Sequence, residues 1–144
     1  MLHFLFMEVF VMQKYAMEFM RYMQANGVRY TESDDNVINV TYCGQNLETV
    51  DVYVFFDEDE EPYVQFRCWD IANFKDDPDG AIVMCNDLNA EYRWVKFYPD
   101  DDGDIIATID AMVDINTCGY ICLSLVQRLV SIVDEAYPEI ESCL

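Results

Sequence analysis

The sequence is nearly without histidine: it has one, His3, among 144 residues. Nucleophilic catalysis by cysteine or serine needs an adjacent base, most often histidine, that a carboxylate orients. His3 lies in an apolar N-terminal segment, so the rest of the chain offers no such motif. Two of the 28 acidic residues forming a carboxylate pair for acid–base catalysis is an alternative that the sequence leaves open. These residues concentrate in turns, however, where solvation leaves their reactivity ordinary. We therefore predict a protein that is not an enzyme, with no catalytic residue and no cofactor.

Positive charge is also scarce, with 8 lysines and arginines against 28 acidic residues and a net charge of −20. Such a surface repels phosphate backbones and anionic lipid, so we predict no nucleic-acid partner. Nucleic-acid mimicry by the acidic surface is a weaker alternative. No window of membrane-spanning length is free of charge, and the last apolar segment contains Gln127, Arg128, Asp134 and Glu135. We therefore predict a soluble, cytoplasmic protein whose partners are basic or hydrophobic.

Paired-cysteine metal motifs are missing. The six cysteines are Cys43, Cys68, Cys85, Cys118, Cys122 and Cys143, and no two have the CxxC or finger-like spacing of a zinc site. No basic segment and cleavage site of a secretory leader precede them, so disulfides are not expected either. Cys118 and Cys122 are four residues apart on a predicted helix and share one of its faces. We predict buried, reduced cysteines and no metal.

Linkers, repeats and low-complexity segments are absent, which favours one domain over residues 12–144 after a doubtful apolar leader, 1–11. Helical periodicity predicts helices over 7–26, from a cap at Asp76 or Asp77, with Pro78 in the first turn, to Tyr92, and from 118 to Tyr137, where Pro138 ends the last one. Alternation predicts strands over 37–43, 49–56, 63–70, 92–99 and 104–112. Short connections make the first three an antiparallel meander. The order is α-β-β-β-α-β-β-α, an α+β fold, with a further short strand at 28–30 left open.

An acidic cluster, Asp100, Asp101, Asp102 and Asp104 around Gly103, separates the last two strands. With Gly103 at position 6 of a calcium-binding loop, position 1 is Tyr98 and position 12 is Ile109, and neither side chain can bind calcium as that loop requires. Aspartate and glycine are the residues that tight turns prefer. We therefore interpret this cluster, and the one at 57–61, as turns and not as metal sites.

Three stretches together resemble the YbjN family of bacterial proteins: "VYVFFDEDEEPYVQF", "NDLNAEYRWVKFYPDDDGDIIATID" and "LVQRLVSIVDEAYPEI". The most specific residues are Leu88-Asn89, Tyr92–Trp94, Lys96-Phe97, Asp102–Asp104, Asp134 and Ala136–Pro138. The resemblance covers 13–140. It implies a bacterial, cytoplasmic sensory transduction regulator without an established active site, and a fold similar to that of type III secretion chaperones.

The predicted sheet has a second face that is rich in aromatic side chains, although a face turned to solvent should be polar. Exposed aromatic bands usually mark an interface. We therefore predict a protein-interaction module, chaperone-like or regulatory, that forms a homodimer or binds another protein. A small-ligand-sensing domain with an aromatic pocket is the alternative, and ordinary core beneath a further layer would also explain the pattern. The candidate interaction residues are Tyr53, Phe55, Tyr63, Trp69, Tyr92, Arg93, Trp94, Lys96 and Tyr98.

Two cations in that set, Arg93 and Lys96, have two possible roles. Either they pair with nearby acids and pack their stems on aromatic rings, or they recognise acidic groups of a partner. Ion pairing is favoured on composition alone, because few cations lack a partner among so many acids.

Overall fold

The computed structural model describes residues 9–144, which form three helices and six strands in the order α-β-β-β-β-α-β-β-α. The helices are α1 (Lys14–Ala25), α2 (Pro78–Glu91) and α3 (Cys118–Ser142); the strands are β1 (Thr31–Asp34), β2 (Val37–Cys43), β3 (Thr49–Phe56), β4 (Tyr63–Cys68), β5 (Lys96–Pro99) and β6 (Ile105–Met112). The α+β class is confirmed. The additional strand lies at 31–34, not at 28–30. His3 and most of the predicted leader fall outside the described residues.

All six strands form one antiparallel sheet in the order β1-β2-β3-β4-β6-β5, and β2–β3–β4 is the predicted meander. Its register aligns apolar residues across four strands: Val54 is paired with both Ile38 and Phe66, and Phe66 with Ile109. All four side chains are buried. Because side chains alternate along a strand, these rows define one buried side of the sheet, which we call the inner face.

Helices α1 and α3 cover the inner face. α3 lies against β3, β4 and β6, and α1 packs on α3. Phe19 and Met23 of α1 and Leu129 of α3 are fully buried in the core. The two helices approach closely where Gly119 faces Tyr22, since a Cβ at position 119 would lie 2.3 Å from the Cβ of Tyr22. The apolar sides predicted for both helices therefore form the hydrophobic layer beneath the sheet.

Helix α2 protects the edge strand β5. It begins as predicted, with Asp77 accepting the N–H of Gly80 at 3.1 Å and Pro78 in the first turn. Near its other end, the Asn89 side chain accepts the backbone N–H of Phe97 at 2.7 Å and donates to the Phe97 carbonyl at 3.0 Å. The Asn89 side chain thus forms the two hydrogen bonds with Phe97 that a neighbouring strand would otherwise form at the free edge of β5.

The start of the first helix differs from the prediction, and Gln13 explains why. Gln13 is buried, and its side-chain carbonyl accepts the backbone N–H groups of Tyr15 and Ala16. Its amide donates to the carbonyl of Asp57 at 3.0 Å. Gln13 therefore caps α1 at Lys14 and fixes that end to the β3–β4 loop.

The last helix passes through Pro138 to Ser142, although Pro138 was predicted to end it. A proline in a helix leaves the carbonyl four residues earlier without its hydrogen bond. Here that carbonyl belongs to Asp134, and it accepts the side-chain amide of Asn46 at 2.9 Å. A side chain from the β2–β3 loop therefore supplies the donor that the proline lacks.

The strand predicted over 92–99 begins only at Lys96. Helix α2 extends to Glu91, Tyr92 is its C-terminal cap, and Trp94 has a positive φ of 78° that a strand does not accommodate. The strand predicted over 63–70 ends similarly at Cys68, because Asp70 has a φ of 64°.

Candidate interaction surface

The side of the sheet opposite the core, which we call the outer face, has no helix packed on its central strands β3 and β4 within residues 9–144, since α3 meets these strands through the inner face. Alternation with the buried positions defines its residues. They are Thr31, Asn39, Thr41, Asp51, Tyr53, Phe55, Tyr63, Gln65, Arg67, Trp69, Lys96, Tyr98, Ile106, Thr108, Asp110 and Met112.

One register row crosses this face over all six strands. Tyr53 of β3 is paired with Arg67 of β4, Arg67 with Thr108 of β6, and Thr108 with Lys96 of β5. On the other side, Tyr53 is paired with Asn39 of β2, which continues to β1. Arg67 consequently lies at the centre of the outer face, with Gln65 before it and Trp69 after it on the same side of the chain.

An aromatic cluster lies beside Arg67. The rings of Tyr53 and Trp69 stack at 4.2 Å between centroids with planes 15° apart, and the Phe55 ring lies 6.3 Å from that of Trp69. The guanidinium of Arg67 lies 5.8 Å from the centre of the Phe55 ring, within cation–π range. These aromatic side chains are half-buried by each other and remain accessible from the solvent side.

The polar atoms at the centre of the face lack hydrogen-bond partners. The Nε of Arg67 and the hydroxyl of Thr108 are both inaccessible to solvent and unpaired in the described part of the chain. Thr108 is only 1% exposed. Most buried polar groups in proteins are hydrogen-bonded, so two unpaired ones on paired residues are unusual. Their positions are adjacent across β4 and β6, where side chains of one face contact each other.

The acidic side chains of the outer face are already engaged. Asp51 accepts a short hydrogen bond from the hydroxyl of Thr41, and Asp110 accepts from the Gln65 amide at 2.9 Å. Neither is paired with Arg67, because the single ion pair within residues 9–144 joins Arg21 to Glu18 on α1.

An open cleft of about 570 Å³ adjoins the face at the end where β4 begins and β6 ends. Phe55, Gln65 and Asp110 line it together with Tyr63 and Met112, which are paired across the two strands. Tyr63 is 55% exposed and Met112 is 72% exposed. The outer face therefore continues into an exposed apolar rim.

The predicted interaction residues separate into two groups. The outer face brings together Tyr53, Phe55, Tyr63, Trp69, Lys96 and Tyr98, with the Lys96 ammonium 5.5 Å from the centre of the Tyr98 ring. The other three lie in the connection between α2 and β5. Tyr92 packs against the core, its ring 6.5 Å from that of buried Phe97, while Arg93 and Trp94 are exposed. A strand over 92–99 would have placed Trp94 on the same side as Lys96, but the strand begins only at Lys96, so Trp94 is not part of the outer face.

Arg67 and Thr108 were missed as site residues. The alternation of Gln65 and Arg67 with buried Val64 and Phe66 places Arg67 on the outer face from sequence alone. The sequence does not specify the register that sets Arg67 beside Thr108, nor whether an acid lies near it. Ion pairing of Arg93 and Lys96 is not observed in the described residues.

The acidic cluster between β5 and β6 is a turn. One carboxylate oxygen of Asp100 accepts the backbone N–H groups of Asp102 and Asp104, both at 2.9 Å. Gly103 has a positive φ of 84°. Asn73 donates to the Asp104 carboxylate at 2.8 Å. Within residues 9–144 no group of three histidine, cysteine or acidic residues is placed to hold a metal ion.

The cysteines are all free thiols, and four are buried as predicted, but Cys43 and Cys143 are exposed. Burial, together with the negative charges of Asp51 and Asp70, raises the pKa of the Cys68 thiol to about 12. Burial raises the pKa of Cys85 to about 11. The sulfurs of Cys118 and Cys122 lie 3.8 Å apart, and their hydrogen bond, with burial, raises the pKa of Cys122.

Comparison with solved structures places the fold. The crystal structure of YbjN from E. coli matches with a TM-score of 0.56 and 14% identity, covering 83% of this chain and 89% of that chain. A chain of the heterodimeric ExoU–SpcU complex, from the type III secretion system of Pseudomonas aeruginosa, matches with a TM-score of 0.51 and 18% identity, covering 86% and 95%. These likenesses confirm the predicted type III secretion chaperone-like fold. No curated protein matches the sequence.

No helix in residues 9–144 has the length and apolarity needed to cross a membrane. The profile of the YbjN family, described as "Putative bacterial sensory transduction regulator", matches residues 18–141. This match begins within α1, ends within α3 and contains all six strands, so it includes the outer face. The chain therefore belongs to the YbjN family.

Proposed function

We propose that this chain is a non-enzymatic protein-interaction module, chaperone-like or regulatory, that works in a bacterial cytoplasm and binds its partner through the outer face. The observation that carries this proposal is the accessible aromatic cluster of Tyr53, Phe55 and Trp69, which continues into the rim of Tyr63 and Met112. Aromatic residues and arginine are enriched in protein interfaces, and here they surround Arg67.

The similar solved structures support the same class of function. The ExoU–SpcU structure is a complex of two different proteins, and one of its chains shares this fold over 86% of the present chain. The family description names a sensory transduction regulator. Both are consistent with a domain whose working part is a contact surface.

Photo-cross-linking tests this proposal with a matched control. A photoreactive phenylalanine analogue is placed at Tyr63, on the rim of the outer face, or at Tyr120, on α3; the two tyrosines are 55% and 60% exposed. In the native bacterium, we expect a defined protein adduct from position 63 and none from position 120. Equal labelling at both positions, or none at position 63, would contradict the outer face as the contact surface.

We also propose that the chain forms a homodimer through helix α2. Ile82 and Val83 are neighbouring large apolar side chains that are both more than half exposed on that helix. Contiguous exposed apolar surface often marks a protein–protein interface. Light scattering after gel filtration should give twice the mass of the 16.9 kDa chain, and I82S together with V83S should halve it. A monomer for the unaltered chain at micromolar concentration would exclude the homodimer and leave the outer face unaffected.

Small-ligand sensing is a second candidate function, which one cleft favours. It has a volume of about 500 Å³ and lies between the start of α2 and the acidic turn, with Phe74, Pro78 and Pro99 as apolar walls and Lys75 as a cation. A panel of metabolites should then contain a compound that raises the melting temperature of the chain, and I82S, at the cleft wall, should reduce that rise. A panel without such a compound would argue against sensing at this cleft.

A further inference from the structure

Arg67 has the surroundings of a residue that binds a group from outside the chain. It lies at the centre of the outer face, with its guanidinium over the Phe55 ring, and its Nε–H meets no acceptor in the described residues. The hydroxyl of Thr108, on the adjacent strand, is likewise without a partner and is 1% exposed. Both atoms are donors that one acceptor group would satisfy.

The local charge differs from that of the whole chain. The row through Arg67 and Thr108 continues to Lys96, so two of the chain's 8 cations flank one buried hydroxyl. The acids of the same face, Asp51 and Asp110, are hydrogen-bonded to Thr41 and Gln65. In a chain of net charge −20, this row is a positive strip with no anion of its own. It is therefore complementary to an anionic group that comes from outside.

We propose that the outer face holds a carboxylate-binding site at Arg67 and Thr108, which takes an aspartate or glutamate side chain from an apolar segment of a partner protein. Because the Nε of Arg67 and the Thr108 hydroxyl are inaccessible to solvent, binding requires the Arg67 side chain to move; the carboxylate then binds Arg67 and accepts a second hydrogen bond from Thr108, and Lys96 adds positive charge at the side. The apolar neighbours of that acid pack on Phe55 and toward the rim of Tyr63 and Met112. This inference rests on the proposed function and names the chemistry of the partner.

A partner other than a second copy of this chain fits best. A second copy placed on this surface would bring the same outer face, whose two acids are already hydrogen-bonded to Thr41 and Gln65. A single carboxylate among apolar side chains also fits better than a multiply charged anion, because the overall negative field acts on each charge. The site therefore selects one acidic side chain in an apolar context.

Phenylacetate, which joins an aromatic ring to one carboxylate, is the probe for this site. In the ¹⁵N-labelled full chain, the Arg67 Nε–H and Thr108 backbone resonances should move and saturate as phenylacetate is added. Phenylacetamide, the neutral analogue, should leave them in place. Inorganic phosphate should produce a smaller shift than phenylacetate. Shifts that are equal for the acid and the amide, larger for phosphate, or absent altogether would overturn the proposal.

Variants separate the site from the surrounding fold. Arg67→Gln should abolish saturation by phenylacetate, whereas Arg21→Gln, on the exposed side of α1, should not change it. Thr108→Val should weaken phenylacetate binding about tenfold, the loss of one hydrogen bond to a charged group. Without ligand, Thr108→Val should keep or raise the melting temperature, because it removes an unpaired hydroxyl. Unchanged binding in both variants would overturn the assignment.

Two outcomes separate this proposal from the proposed function. A cross-link from position 63 without any phenylacetate response would reject the carboxylate site and leave the interaction module standing. If the Arg67 Nε–H resonance instead moved with protein concentration, alongside formation of a dimer, the occupant would be a second copy, and the proposal of a foreign acidic segment would fail.

Discussion

Asn46 donates its side-chain amide to the backbone carbonyl of Asp134, the carbonyl that Pro138 leaves without a helical hydrogen bond. The distance is 2.9 Å, and the two residues are 88 positions apart in the chain. The Asp134 carboxylate in turn accepts the backbone N–H groups of Gln45, Asn46 and Leu47 at 2.9–3.0 Å. The β2–β3 loop and the last turns of α3 therefore satisfy each other's unpaired backbone groups.

Asn46→Ala should destabilise the fold by about 0.5–1.5 kcal/mol, because the Asp134 carbonyl loses the side-chain donor that replaces the N–H missing at Pro138. Pro138→Ala restores a helical N–H to that carbonyl, so the same Asn46→Ala change should cost less in the Pro138→Ala background. Urea unfolding of the two single variants and the double variant measures this coupling. Strictly additive effects would show that the side chain does not substitute for the missing N–H.

Asp134→Asn should lower the free energy of unfolding at neutral pH by about 1–2 kcal/mol, since three N–H groups lose a charged acceptor. The hydrogen bonds from Leu47, Gln45 and Asn46 lower the pKa of Asp134 despite partial burial. Because the folded pKa lies below the unfolded one, this stabilisation is complete above about pH 4 and is lost as the pH falls through the folded value. The difference between wild type and variant should therefore shrink in acid. Glu135→Gln, at the next and exposed position, should show no such change.

Gly119→Ala should destabilise the protein, although alanine is normally favoured over glycine in a helix by about 1 kcal/mol. The added Cβ would lie 2.3 Å from the Cβ of Tyr22, an atom that cannot rotate away, so α1 and α3 must separate. Overpacking of this kind costs about 1–3 kcal/mol. Thermal unfolding should show a lower melting temperature for Gly119→Ala and little change for Ser131→Ala, at an exposed site on the same helix. An unchanged or raised melting temperature would show that the helices can move apart freely.

A thiol reagent at pH 8 should modify Cys43 and Cys143 in the folded protein, since these are the two exposed cysteines. Cys68 and Cys85 should react only after unfolding, because burial raises their pKa to about 12 and about 11 and excludes the reagent. Mass spectrometry of the native protein should show two modifications, and C43S combined with C143S should show none. Modification of the double variant without denaturant would indicate that the core opens locally.

Apolar patterning was sufficient to predict most of the sheet. Alternation predicted the strands β2, β3 and β4, and apolar residues at their alternate positions, such as Val40, Val52 and Phe66, are buried. The start of α2 was also predictable from local sequence, with Pro78 in the first turn and a cap at Asp76 or Asp77, of which the structure shows Asp77. These features depend on neighbours within a few positions, which the sequence shows directly.

The features that were missed depend on distant partners. Pro138 stays within α3 because of Asn46, and Gln13 caps α1 while bonded to the loop at Asp57. The segment 92–94 alternates like a strand, but the turn at Trp94 and the contact of Asn89 with Phe97 end helix α2 there instead. Arg67 could be placed on a face from the alternation of β4, but the finding that no acid forms an ion pair with it within residues 9–144 requires the register of the neighbouring strands.

The pairing of Asn89 with Phe97 has a consequence for how the sheet can grow. With β5 closed by a side chain, β1 is the edge of the described sheet that has unfilled backbone groups, and its register against β2 is irregular between Glu32 and Asp34. A strand of another molecule that joins this sheet would therefore pair with β1. It would meet the exposed carboxylates of Glu32 and Asp34 there. Replacing Glu32 and Asp34 with neutral residues would thus favour edge-to-edge aggregation through β1. The opposite edge, at β5, would stay closed.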